Sequence, residues 1–172
     1  MIDPTLAADV RIVASLEGEF RLRSGQVSST YFDKYRFEGD PQLLKRVAAE
    51  MVPLLPQGAE VLAGLELGGV PIVTAMSLET GIPAAFVRKK AKDYGTCLAV
   101  EGSEVSGKRV VLIEDVITTG GAVADATRQV REAGAEMLGV VCAIWRGDGE
   151  PKIEAMPELP VIAAMTKADL DG

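Results

Sequence analysis

The chain has 172 residues, of which 48% are apolar and 25% charged, with a net charge of −7 at pH 7. That length and balance suit one soluble domain with its own core, and the acidic surplus counts against broad nucleic-acid binding, where a basic face supplies most of the affinity. There is no histidine, which excludes Ser-His-Asp and Cys-His catalysis and any His-ligated metal site, and leaves carboxylates, lysines, arginines, hydroxyls and backbone amides to do any chemistry.

Asp3-Pro4 is a helix start, with Asp as N-cap and Pro in the first turn. Leu6, Val10, Val13 and Leu16 follow at helical spacing up to Gly18. Residues 19–23 alternate, with Phe20 and Leu22 on one face, as a short strand does, Ser24-Gly25 is a turn, and Tyr31-Phe32-Asp33 is a second short strand. Asp40-Pro41 repeats the helix start and predicts a helix to about Leu55. From there strand, glycine-bearing turn and helix recur. Val61 to Leu65 reads as a strand, Gly68-Gly69 as a turn, Pro71 to Thr80 as a helix and Ala84 to Arg88 as a strand. A polar stretch from Lys89 to Gly107 has no clear period. Val110 to Ile113 is a buried strand, Val123 to Ala133 a helix and Met137 to Ile144 a further apolar strand.

This alternation predicts an α/β fold with a mainly parallel sheet and helices on both faces. The ligand then belongs at the carboxyl ends of the strands. The first 35 residues stand outside the alternation and are expected to form a small cap over the site, with the C-terminal segment a candidate to join it. The whole of 1–172 is expected to be one domain. Apolar runs end well short of the ~20 residues of a membrane span. The N-terminus lacks a basic region followed by an apolar stretch, so no signal peptide is expected. Cys97 and Cys142 form no CxxC unit, and a reducing cytoplasm is the simplest location.

The most informative segment runs from Val110 through Glu114-Asp115-Val116-Ile117-Thr118-Thr119-Gly120-Gly121-Ala122. It is a hydrophobic strand, two adjacent acids, and a Thr-Thr-Gly-Gly turn entering a helix. Amides and the positive dipole end at a helix N-terminus bind phosphate, glycines let the backbone approach it, and threonine hydroxyls add donors. Carboxylates just ahead of the turn would repel phosphate but suit sugar hydroxyls. The pattern therefore reads as a ribose 5-phosphate site. It is neither a Walker loop nor a dinucleotide GxGxxG.

This segment resembles the signature by which type I phosphoribosyltransferases bind 5-phosphoribosyl 1-pyrophosphate (PRPP). The resemblance implies that Glu114 and Asp115 hold the ribose hydroxyls and that residues 116–122, from Val116 to Ala122, hold the 5′-phosphate. Three further segments, in the right order, are similar to the orotate phosphoribosyltransferases of that family. Residues 22–33 match an N-terminal pattern that implies orotate contacts from Arg23, Tyr31 and Phe32, although a polar turn between strands explains the same residues. Residues 64–71 match a loop that holds pyrophosphate through Leu67, Gly68 and Gly69, although glycines also serve helix–sheet packing. Residues 87–95 with Glu101-Gly102 put four cations, Arg88, Lys89, Lys90 and Lys92, within five positions. This run resembles a mobile catalytic loop, spanning about 90–102, that closes over a neighbouring subunit. It implies phosphate contacts from Arg88, Lys89 and Lys92, with Lys92 and Asp115 catalytic. A solvated charge run is the plainer account. Arg146 matches an arginine that grips the orotate carboxylate, with Thr118 a second contact.

Three positions depart from the family pattern: Tyr94 stands where a His is common, Gly68 where a Lys is frequent, and Trp145 where an Asp is usual. The resemblance implies Mg²⁺ carried mainly by PRPP and water, a homodimer, and no nucleic-acid or membrane partner. The rival expectations are a PRPP-dependent transferase for another base and a PRPP-binding regulator without turnover.

Overall fold

A computed structural model of the chain describes residues 4–21, 25–90 and 99–171. Its main sheet has six strands in the order β5-β4-β3-β6-β7-β8. These are β3 (Val61–Leu65), β4 (Ala84–Val87), β5 (Val100–Gly102), β6 (Arg109–Ile117), β7 (Glu136–Trp145) and β8 (Val161–Thr166). All neighbours pair in parallel except β4 with β5. A separate antiparallel pair, β1 (Ser15–Arg21) and β2 (Val27–Phe32), lies in the N-terminal region.

Helices cover both faces. Along β6 the alternation of a strand sends Val111 and Ile113 to one side and Val110 and Leu112 to the other. The first pair joins a cluster with α1 (Pro4–Ala14), α3 (Pro41–Met51) and α4 (Gly69–Thr80) through Leu6, Val47 and Ile72. The second pair packs with α5 (Gly121–Glu132) through Val123 and Val130. Because both faces are covered, β3 is buried at every position, as expected for a parallel strand.

Local chemistry explains several boundaries. The Asp40 carboxylate accepts hydrogen bonds from the amides of Gln42 (2.9 Å) and Leu43 (3.1 Å) and caps α3, with Pro41 in its first turn. A single 3₁₀ turn, Val52–Leu54, ends that segment. Gly81 closes α4 in the left-handed region at φ 74°.

Elsewhere the structure departs from the sequence reading. α1 stops at Ala14, and Leu16 belongs to β1 rather than to the helix. A four-residue helix, α2 (Tyr35–Glu38), precedes α3; it is too short to leave a periodic signal. β5 lies inside the stretch read as aperiodic. β6 runs on to Ile117, so Glu114 and Asp115 sit within the strand instead of after it. In the C-terminal segment β8 is the edge strand of the main sheet, and only the short α6 (Lys167–Asp171) turns back toward α1, where Arg11 donates to the Asp171 carbonyl (3.3 Å).

Candidate active site

The strand order changes direction between β3 and β6, and open α/β sheets bind ligands in the crevice at such a switch point. The turn after β3 and the end of β6 meet there. A Cβ on Gly68 would fall 1.6 Å from Asp115 Oδ2, so any side chain at position 68 would displace that carboxylate. Gly69 presses on the Ile113 carbonyl in the same way, its Cβ position 2.5 Å away. Gly69 thus serves helix–sheet packing, the plainer account of this loop, and Gly68 makes room for the acid. The Glu66–Leu67 peptide is cis, and Leu67 is exposed.

Asp115 is fully buried and Glu114 nearly so. Asp115 shares the strand parity of Val111 and Ile113, which points it toward the side where α2 arrives. The Lys34 ammonium reaches Asp115 Oδ2 at 2.6 Å. Asp115 Oδ1 accepts from the Val116 amide (2.5 Å), and Glu114 Oε1 from the Asp115 amide (2.9 Å). Burial alone would raise the Asp115 carboxyl, but hydrogen bonds from Glu114, Glu38 and Lys34 outweigh it and hold that carboxyl below its usual range. Glu114 is pushed up by burial and by its neighbour Asp115. Glu38, buried on α2, is pushed up to about 9, by burial first and Asp115 second. For Lys34, burial opposes the charge, but the bond to Asp115 wins and its ammonium is stabilised. Asp115, favoured as the carboxylate, thus pairs with Lys34, beside two acids, Glu114 and Glu38, whose surroundings favour the neutral form.

Beyond β6, Thr118, Thr119 and Gly120 form the turn into α5. Gly120 has φ 75°, and its Cα faces Ile153 so closely that a Cβ would lie 2.9 Å from that side chain. α5 begins at Gly121, and Ala122 lies in its first turn, where helix amides lack partners within the helix.

A cavity of about 610 Å³ opens next to this turn. Thr118 and Arg146, from the carboxyl ends of β6 and β7, line one wall; Tyr31 and Phe32 of β2 line another. The Arg146 guanidinium lies over the Phe32 ring, 4.8 Å from its centroid, a cation–π contact that orients the cation. Its backbone amide donates to the Ile117 carbonyl at 2.8 Å. Trp145 turns the opposite way, into the core, and its indole N–H donates to the Gly149 carbonyl (2.9 Å). The Trp at this position thus braces the turn after β7 and leaves Arg146 free to face the cavity.

The structure therefore gathers Tyr31, Phe32, Thr118 and Arg146 around one cavity, and Gly68, Glu114 and Asp115 around the adjoining crevice. Arg88 and Lys89 follow β4. The Arg88 amide donates to the Ala99 carbonyl (2.8 Å), and the Lys89 amide to Glu66 Oε1 (2.6 Å), which ties this strand end to the Gly68 turn. Arg23, Lys92 and Tyr94 lie outside the described residues. Sequence reasoning missed Lys34 and Glu38 at the crevice and Arg11 and Lys167 in the cavity wall. None belongs to a motif; the only nearby hint was the Asp40-Pro41 cap, which shows where the preceding segment must turn.

Buried acids at a sheet switch point, followed directly by a Thr-Gly helix-entry turn, are the arrangement expected of a phosphoribosyl-transfer fold. A family model described as "Phosphoribosyl transferase domain" matches residues 41–160. A Nocardioides sp. orotate phosphoribosyltransferase is 61% identical over 171 residues, covering 99% of this chain and 96% of that one. Mycobacterium tuberculosis orotate phosphoribosyltransferase superposes in two solved structures. One is a complex with Fe(III) dicitrate (TM-score 0.85, 34% identity, 97% of each chain covered) and the other a complex with PRPP (TM-score 0.82, 30% identity, 98% of each chain). The chain belongs to the phosphoribosyltransferase family and, within it, to the orotate phosphoribosyltransferases.

Proposed function

We propose that the chain transfers the phosphoribosyl group of PRPP to orotate, giving orotidine 5′-monophosphate and pyrophosphate for pyrimidine nucleotide synthesis. The observation that carries this reading is the cavity shared by Thr118, Arg146, Tyr31 and Phe32 beside the Asp115 crevice. It offers a guanidinium for a carboxylate and aromatic surface for a flat ring, at the place where a sugar held by the acids would present its anomeric carbon.

In this reading Glu114 and Asp115 hold the ribose diol, and the segment from Val116 to Ala122, with Thr118, Thr119, Gly120 and Gly121 at its turn, holds the 5′-phosphate. Leu67, Gly68 and Gly69 form the turn that faces pyrophosphate. Arg88, Lys89 and Lys92 supply positive charge to the departing group, and Arg23 flanks the bound substrates. The bond from ribose to pyrophosphate breaks early and leaves positive charge on the ring, so catalysis rests on positioning and electrostatics. The ionised Asp115 lies near that charge. Residues 90–102 close over the site and exclude water, acting across a homodimer, with residues 1–35 as a cap on a single domain.

The crevice offers carboxylates, the oxygen donors Mg²⁺ prefers. Lys34 already neutralises Asp115, and among the described residues no three Asp, Glu or Cys side chains gather as a metal cage. In this proposal Mg²⁺ would be held mainly by PRPP and water, and when bound would add positive charge at the leaving group. Among the described residues no helix is long and apolar enough to cross a membrane, and a cytoplasmic location is part of the proposal.

The test is orotate consumption followed by absorbance, with PRPP, with and without Mg²⁺. Metal-dependent turnover is expected. Clear PRPP binding without turnover of orotate would instead favour another base or a PRPP sensor.

A further inference from the structure

Lys34 lies in no motif, yet its ammonium reaches the fully buried Asp115 at 2.6 Å. That same oxygen, Asp115 Oδ2, is the one the Gly68 Cα abuts. The ammonium and the Gly68-Gly69 turn therefore flank a single atom. The Lys34 side chain is also one third exposed, so it is not sealed away from solvent, and its ammonium lies near the Tyr35 ring (5.3 Å to the centroid). The floor of this crevice carries the Asp115 carboxylate, with the Glu114 and Glu38 carboxyls beside it. A ligand with several negative charges can settle over such a floor only if a cation comes between, because like charges at close range in a low-dielectric site repel strongly.

We propose that Lys34 is a pyrophosphate-contacting residue of this site. When pyrophosphate oxygens arrive at the Gly68-Gly69 turn, the ammonium turns toward them from the Asp115 oxygen it shares with that turn, and in PRPP a ribose diol takes its place on the carboxylate. In the unliganded protein the same ammonium is the counter-ion paired with Asp115. Lysine suits this exchange: it is a point charge on a flexible stem with rotatable donors, and it can change partners without a fixed fork geometry. The inference rests on the reading of the crevice as a PRPP site.

The experiment is calorimetric titration of inorganic pyrophosphate with Mg²⁺ into the wild type, Lys34→Ala and Lys34→Arg, alongside steady-state kinetics with PRPP and orotate. Lys34→Ala is expected to weaken pyrophosphate binding at least tenfold and to raise KM for PRPP by a similar factor. KM for orotate should move less than twofold, and Lys34→Arg should recover most of the pyrophosphate affinity. If Lys34→Ala fails to fold because Asp115 is left unpaired, Asp115→Asn is compared with Lys34→Ala/Asp115→Asn, where no buried charge is stranded; the second change is again expected to cost about tenfold for pyrophosphate. Pyrophosphate affinity within twofold of the parent in these pairs would overturn the inference and leave Lys34 a structural counter-ion only. A wild type that binds neither pyrophosphate nor PRPP would remove the reading of the site itself, a distinct outcome.

Discussion

The crevice between β3 and β6 and the cavity beside it are built on opposite principles. The crevice is closed: Asp115 has no exposed surface, Gly68 has no room for a side chain, and the neighbouring acids depend on one another for their protonation. The cavity is open and assembled from side chains of distant segments, with Tyr31 half-exposed and Arg146 steadied by a ring contact. A group common to all substrates of a fold, sugar phosphate, can be met by backbone and buried charge. A group that differs between substrates, the base, is met by replaceable side chains on elements around the rim.

If the two regions are separable, changes in each should fall on different substrates. Asp115→Asn is expected to have the largest effect. It removes the charge near the ribose ring and strands Lys34, and turnover should fall roughly 100-fold or more, the scale seen when one preorganised electrostatic group is lost. A loss confined to KM for orotate would break the division. Arg146→Ala should come next, raising KM for orotate by the equivalent of about 1.5–3 kcal/mol for a charged hydrogen bond while leaving PRPP affinity close to wild type. Equal damage to both substrates would show that the cavity and the crevice act as one.

Gly68→Ala sharpens the comparison from the backbone side. The added methyl meets Asp115, and overpacking of this kind costs about 1–3 kcal/mol, to be read as a lower Tm together with weaker PRPP binding. Unchanged values in both would mean that the carboxylate has free space to move. A further change is read in the pH dependence of stability. Glu38 keeps its proton in the folded protein up to about 9, whereas the unfolded chain releases it near 4.5. Between these limits the native state binds more protons than the unfolded one, so this group makes stability fall as pH rises, by at most about 1.4 kcal/mol per unit. Glu38→Gln should remove that slope, so that denaturation midpoints of variant and wild type diverge steadily from pH 5 to pH 9. Parallel curves would show that Glu38 ionises normally.

What the sequence determined by itself was whatever is local. The Asp40-Pro41 cap, the Gly81 stop, the buried run of β3 and the whole passage from β6 through Thr118-Thr119-Gly120-Gly121 into α5 are contiguous, and their turn chemistry and periodicity are written in adjacent residues. The Thr-Thr-Gly-Gly turn was legible for that reason. The tertiary structure alone decided what depends on segments meeting across the sheet. It extended β6 through the acids, because β7 pairs with it as far as Ile117 and Trp145. It placed β8 at the edge, sent Trp145 inward and Arg146 outward, and set Gly68 against Asp115. Above all it delivered Lys34 and Glu38 to the acid pair from a four-residue helix with no readable period. Strand pairing and the burial of charge are long-range decisions, settled only when the chain closes on itself.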